Sequence, residues 1–423
     1  MSQALSADFA YSRNGKPSHI ASTRYRVNTP PSNGSSFSMG DTIRIELPSG
    51  KFGSWLLPRE TYLKFKMDAN FLYGNETEVF SLDGSADAII SRLTIYAGAN
   101  QLEDIQNYDV LNALWRDAMF DTNMYRVGSL TYGDNDVFAD GGQGVLERVF
   151  CLPLTSGVIG SLMSKALPLG FVNSDLRIEI VLNPFNTAFY STGGVSGKAN
   201  FKITDVSLIT EHIDLPLAVA QNIKESLGGV ISISTESFQS AENVEVANST
   251  KGTPLLPFRF SSLKSVLNMW RKEAHTTDLT KSSITRRENV LHKFGSYQYR
   301  IQGNLLTPQT PIVGEREAYV ESVQKGLSKH FNTKSATSIY NTNWEFGDAG
   351  ATSSKFFICL NTEVFPSEGS RFESGENTLG SGSSFLNINY GYALPVNHLL
   401  TSFGHYDCLL TLDTNSGQMM MAY

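Results

Sequence analysis

Few side chains in this 423-residue chain stand at the spacings that metal binding, phosphate binding or nucleophilic catalysis require. The nearest approach is DVFADGGQGVLE, in which Asp136, Asp140, Gly141 and Glu147 take the first, fifth, sixth and twelfth places of a calcium loop. Phe138 stands third, where an oxygen ligand is needed, so Asp136, Asp140 and Glu147 make a weak calcium candidate and an acidic turn is the simpler reading. GGVSGKA, residues 193–199, has the look of a phosphate loop, but Thr192 and Ala199 occupy places where that motif needs Gly and Ser or Thr. A hairpin tip accounts for it. His405 and Cys408 have metal-like spacing without a second close pair, which favours a strand residue beside a buried thiol. His19, His212, His275, His292, His330, His398 and His405 are dispersed, and neither a Gly-x-Ser-x-Gly elbow nor a His-Glu-x-x-His pair occurs. The chain reads as non-enzymatic, with no cofactor and no metal.

The bulk numbers agree with a building block. At 46.5 kDa the chain is too long for one ordinary core, and two domains fit it best. Twenty-five Phe and 17 Tyr against only 18% charged residues favour strands and leave a sparsely charged surface, suited to packing against copies of itself. A net charge of −7 argues against a dedicated nucleic-acid binder, which would carry a concentrated basic face. Cys151, Cys359 and Cys408 are odd in number and far apart, so no disulfide framework is implied and a reducing compartment is expected. The opening residues lack a charged start followed by an apolar run, so no secretory signal is expected, and the sequons at Asn75 and Asn248 go unused. No stretch approaches the ~20 apolar residues that span a bilayer.

Residues 1–40 are rich in Ser, Asn, Gly and Pro, and carry Arg13, Lys16, Arg24 and Arg26 against the single acid Asp8. Such a segment buries too little apolar area to fold alone, and an extended N-terminal assembly arm is expected. Alternation starts at Asp41. TIRIELP puts Ile43, Ile45 and Leu47 on one face, YLKFKM does the same with Leu63, Phe65 and Met67, and DLRIEIVL with Leu176, Ile178, Ile180 and Leu182. Further strands are read over 89–96, a short return through Leu102, LERVFCLPL and NFKITDVSLITEHIDL. Between them Leu111, Leu114, Trp115, Ala118 and Met119 recur at helical spacing, which predicts one helix over Tyr108–Phe120. PLAVAQNIKESLGG reads as a linking helix ended by Gly228 and Gly229. The second half repeats the plan: VISISTE, LPFRFSSL, LHKFGSYQYRIQG, KFFICLN, SFLNINYG and DCLLTLD as strands, with Tyr319, Val323, Leu327 and Phe331 at four-residue spacing on a second helix. The fold class is all-β with a few short helices, in two tandem antiparallel sandwiches. The division is an arm over 1–40, a first sandwich over 41–215, a linker over 216–228 and a second sandwich over 229–423.

Three stretches carry a family resemblance: RLTIYAGANQLEDIQNYDVLNALW; LPL at Leu152–Leu154 with ALPLGF and DLRIEIVL; and YQYRIQGNLLTPQTPI with ESGENTLGSGSSFLNINY. In type and order these residues resemble the double jelly-roll major capsid proteins of tailless icosahedral DNA viruses, the lineage of virophages, polinton-like viruses and adenovirus hexon. The resemblance implies two eight-stranded jelly rolls per subunit, homotrimers that mimic a hexagonal tile, and residence in the virion after synthesis in the host cytoplasm. It also implies penton or minor capsid proteins as partners, and contact with an internal membrane or genome through the arm. The loops are shorter than in larger members, which implies a compact capsomer. A two-domain β-sandwich binding or adhesion protein, or a minor capsid or spike protein, are the alternatives.

Overall fold

Period-two alternation becomes a buried face wherever it occurs. In Thr42–Leu47, Ile43, Ile45 and Leu47 are buried while Arg44 and Glu46 are exposed, and Leu176–Leu182 alternates without a break. The computed structural model describes residues 22–71, 80–119, 131, 133, 146–191, 199–282, 286–291, 295–306, 310–327, 355–363 and 375–423. Its first unit has eight principal strands: β1 (Thr23–Thr29), β2 (Thr42–Leu47), β3 (Ser54–Phe71), β4 (Ile90–Ala97), β5 (Asn100–Gln106), β6 (Leu146–Pro153), β7 (Leu176–Leu182) and β8 (Ala199–Asp214). They form two sheets, ordered β1-β8-β3-β6 and β2-β7-β4-β5. The antiparallel pairs 1·8, 2·7, 3·6 and 4·5 are the rungs of one long hairpin. Rolling that hairpin adds the pairs 8·3 and 7·4, and the product is a jelly roll.

The second unit repeats the winding with β9 (Val230–Glu245), β10 (Lys251–Gly252), β11 (Leu263–Lys272), β12 (Ser296–Ile301), β13 (Asn304–Leu305), β14 (Ile358–Asn361), β15 (Phe385–Asn389) and β16 (His398–Asp413). Its sheets run β9-β16-β11-β14 and β10-β15-β12-β13, the same order shifted by eight. A last strand, β17 (Gln418–Ala422), pairs with β16. Every strand pairing among the described residues lies within Thr23–Asp214 or within Val230–Ala422. One apolar cluster is nevertheless continuous across both units.

Helix α1 (Tyr108–Met119) buries Tyr108, Val110, Leu111, Leu114 and Ala118. Helix α2 (Leu217–Ser226) joins the units and ends where Gly228 and Gly229 take positive φ, the left-handed conformation that glycine adopts without strain. Helix α3 (Gly314–Tyr319) continues as π-turns over Val320–Leu327. A four-residue apolar repeat is longer than the 3.6 residues of an α-turn, and Tyr319 and Val323, four apart, both pack against the core here. Phe331 lies outside the described residues.

Two expectations are corrected. Residues 23–29 are not a free arm: they are β1, paired residue by residue with β8 from Thr23↔Asp214 to Thr29↔Leu208, and Ser36–Ser38 pairs with β8 as well. The rolled hairpin needs a first strand to partner its eighth, so the first roll begins near residue 23 and not at 41. LPFRFSSL is not a strand until Leu263. Its Leu256, Phe258 and Phe260 are buried in alternation, but the segment binds residues 376–386 only at intervals, through Leu256 N to Ser384 O, Thr378 N to Phe260 O and Leu263 N to Glu376 O.

Candidate functional site: the seam between the two rolls

Where the rolls meet, polar side chains are buried and bonded across the boundary. Glu103 of β5, 2% exposed, accepts from Ser156 Oγ, from Gly157 N at 2.8 Å, and from Ser237 Oγ of β9 at 2.5 Å. Thr235 of β9 returns a bond from its Oγ1 to Gly157 O at 2.7 Å. Burial pushes the Glu103 carboxyl above its ordinary pKa, and the three hydrogen bonds oppose that rise. The approach needs a glycine: a Cβ on Gly157 would lie 2.1 Å from the Glu236 carbonyl oxygen. Beside it, Trp115 of α1 meets Phe238 of β9 edge to face, with ring centres 5.2 Å apart. Helix α1 is fixed behind this contact by Tyr108 OH, which accepts from Thr155 N at 2.7 Å, and by Asn112, which accepts from Thr155 Oγ1 at 2.6 Å.

Ion pairs continue the seam. Arg286 meets Asp83 at 3.2 Å and donates to the Asn186 and Thr187 carbonyls, both at 3.1 Å. Arg287 meets Asp117 of α1 at 2.6 Å, and Lys355 reaches the other oxygen of Asp117 at 2.9 Å. Asp109, at the start of α1, has its pKa pushed up to about 6 by burial, with the Arg271 charge pulling the other way. Bonds to backbone carbonyls complete the junction: Ser191 N to Leu279 O at 2.6 Å, Asn173 N to Gly417 O at 3.0 Å, and the side-chain amide of Asn100, through Nδ2, to Met419 O of β17 at 3.1 Å.

Of the residues singled out from sequence, Asp136, Asp140, Arg13 and Lys16 lie outside the described residues. Glu147 points outward from β6 and pairs with Lys66 at 2.5 Å. Arg24 pairs with Glu211 at 3.1 Å, and the Arg26 guanidinium lies over the Tyr62 ring at 5.5 Å, so both are engaged on the β1–β8–β3 surface. His405 and Cys408 share no ligand. Three residues apart on β16, they face opposite sides of the strand: the His405 ring stacks on Phe238 at 4.5 Å with Nε2 at 3.0 Å from Glu236, while Cys408 Sγ points at the Thr235 carbonyl. Among the described residues no group of three His, Cys, Asp or Glu side chains is placed to hold a metal ion. Sequence reasoning missed the seam residues Asp83, Glu103, Asp117, Arg286 and Arg287. The tandem arginines were the available signal, in a chain with few charges.

No family model matches the chain, and no curated sequence does. Solved structures do. VP54 of PBCV-1, in a crystal structure fitted into a cryo-EM reconstruction of the virophage Sputnik, superposes with a TM-score of 0.64 at 11% identity, over 97% of this chain and 99% of that one. The Faustovirus major capsid protein gives 0.62 at 9% identity, over 96% and 92%. The mavirus major capsid protein gives 0.52 at 11%, over 100% and 96%. At such identities the likeness is one of fold: the described residues have the double jelly-roll fold.

Proposed function

We propose that this chain is a major capsid protein, the structural subunit of an icosahedral virus shell, three copies of which close into a six-sandwich tile. The observation that carries the reading is the repeated winding order, 1-8-3-6 with 2-7-4-5, locked at a polar seam into one two-roll block. Two equivalent rolls per subunit let a threefold assembly present six similar faces, and a lattice of hexagonal tiles follows from that geometry. Contacts within such a trimer join unlike patches of neighbouring subunits, and obligate contacts of this kind bury more than about 2,000 Å². The activity is assembly. Its partners are copies of the chain, then the minor and vertex proteins of the shell, with the N-terminal residues reaching the genome or a membrane beneath, and its place is the virion.

Size-exclusion chromatography with light scattering tests this directly. A trimer of the 46.5 kDa chain has a mass near 140 kDa and shows a hexagonal outline by negative stain. A chain that remains monomeric at tens of micromolar and binds glycans would refute the shell and support an adhesion module.

A further inference from the structure

The seam encloses a cavity whose chemistry the assembly reading does not use. About 30 Å³ of space lies between α1 and the Ala86–Ile89 turn on one side and β11 with residues 286–287 on the other. Its polar walls are Asp83, Asp109, Thr187, Arg271, Arg286 and Arg287. The three arginines are 8%, 3% and 3% exposed. Each makes an ion pair, yet Arg271 Nε, Arg286 Nε and both Nε and Nη2 of Arg287 have no hydrogen-bond partner among the described residues. Buried charged donors without acceptors are costly, and an unseen water or ion is the usual resolution.

Spare donors and size separate these two occupants. Three guanidiniums line the cavity with Asp83 and Asp109, and although Asp117, Glu242 and Lys355 just outside bring the surroundings to neutrality, four of the guanidinium nitrogens still lack an acceptor among the described residues. Beyond the lining, Asp117 is shared between Arg287 and Lys355, and Glu242, 3.2 Å from Arg271, is partly open to solvent. A water must donate as well as accept, whereas a halide accepts from several N–H groups at once. One water needs about 10–15 Å³ of such space, so the cavity has room for two or three waters or for one ion of chloride size, and little for an oxyanion such as phosphate.

We infer that this cavity binds one monatomic monovalent anion, of the class of chloride, held by Arg271, Arg286 and Arg287 across the junction of the two rolls. Asp109 is the opposing group, since its ionised carboxylate repels the anion, and Arg271 and Asp83 are the charges that act on it. Its high pKa, about 6, makes binding tighten as pH falls through that value. The inference is independent of trimer formation.

The full chain crystallised from bromide gives the test, alongside melting curves in chloride and in gluconate at constant ionic strength. An anomalous peak within hydrogen-bonding reach of the three guanidiniums is expected, with a melting temperature that rises with the logarithm of chloride. Asp109→Asn removes the repulsion, so at pH 7 the same shift needs at least about tenfold less halide. Arg287→Lys keeps a cation for Asp117, drops the spare donors and loses the halide dependence. An absent bromide peak, or a halide response equal in Asp109→Asn and the parent, overturns the inference in favour of water alone. The Asn variant decides the matter if the Lys variant does not fold.

Discussion

Replacing Gly157 by Ala tests whether the seam couples the two rolls. The added Cβ would sit 2.1 Å from Glu236 O and 3.2 Å from Thr235 Oγ1, where real Cβ contacts do not fall below 3.0 Å. The obstruction is backbone, so no rotamer change relieves it, and the segments must part by roughly 1 Å, as overpacked sites do. That movement stretches two bonds across the seam, Ser237 Oγ to Glu103 at 2.5 Å and Thr235 Oγ1 to Gly157 O at 2.7 Å. Overpacking costs about 1–3 kcal/mol. A lost neutral hydrogen bond adds about 1 and one to a buried carboxylate about 1.5–3, so about 3.5–7 kcal/mol is expected in all. Thr235→Val, which removes only the single side-chain bond, costs about 1 kcal/mol. Urea unfolding read by calorimetry and circular dichroism measures both, and Gly157→Ala should also split one transition into two as the rolls lose their coupling. If Gly157→Ala lies within about 1 kcal/mol of the parent and still unfolds in one step, the rolls are not coupled through this contact.

Acid and base should act on the seam and the second roll in opposite directions. Asp109 binds its proton more tightly folded than unfolded, so its contribution is full below about pH 4 and is lost as pH rises through about 6; Asp109→Asn flattens that slope in pH-resolved melts. Glu288 behaves in reverse: burial raises its pKa, but the His398 hydrogen bond at 2.6 Å and the Lys272 charge outweigh burial and hold it below the ordinary value. Its contribution is present near neutrality and disappears as pH falls through the carboxylate range, so Glu288→Gln is destabilised at pH 7 and less sensitive to acid. Removing residues 1–29 deletes β1 and strips β8 of one of its two long neighbours, which should abolish the cooperative melt, whereas removing 1–21 leaves every described strand in place. A chain starting at Pro30 that melts like the full protein would restore the free-arm reading of that region.

Half-buried strands were legible in the sequence because one face meets the core and the other meets water, as β2 and β7 show. Strand β11 was not. It is buried at nearly every position, since one face, with Met269 and Arg271, lines the cavity against the first roll while the other, with Asn268 bonded to Tyr299 of β12, faces the sandwich, and burial on both faces erases alternation. The first half of β16 was hidden for the same reason. Strand β1 failed the other way. TRYRVNT has almost no buried position, and what places it is backbone pairing to β8, for which side-chain pattern carries no mark. The seam was illegible because its partners are remote in sequence: Asp117 and Arg287 are 170 residues apart, and Glu103 and Ser237 are 134 apart.

That remoteness bears on why the junction is polar at all. Taking Asp83, Asp117, Arg286 and Arg287 out of water costs free energy that their pairing only partly offsets, so an apolar seam of equal area would hold as tightly or more tightly. An apolar surface, however, has no preferred register, and two sandwiches joined through one could slide or rotate with little change in buried area. Hydrogen bonds and ion pairs are directional. Ser237 to Glu103, Asn173 to Gly417 and Arg287 to Asp117 are three such constraints at separate points along the junction, enough to fix one orientation of roll against roll. Replacing the Asp117–Arg287–Lys355 cluster with Leu, Met and Met should therefore leave the melting temperature near that of the parent while broadening the distribution of inter-roll distances measured by double electron–electron resonance. A variant equally stable and equally narrow would remove orientation as the reason for the buried charges.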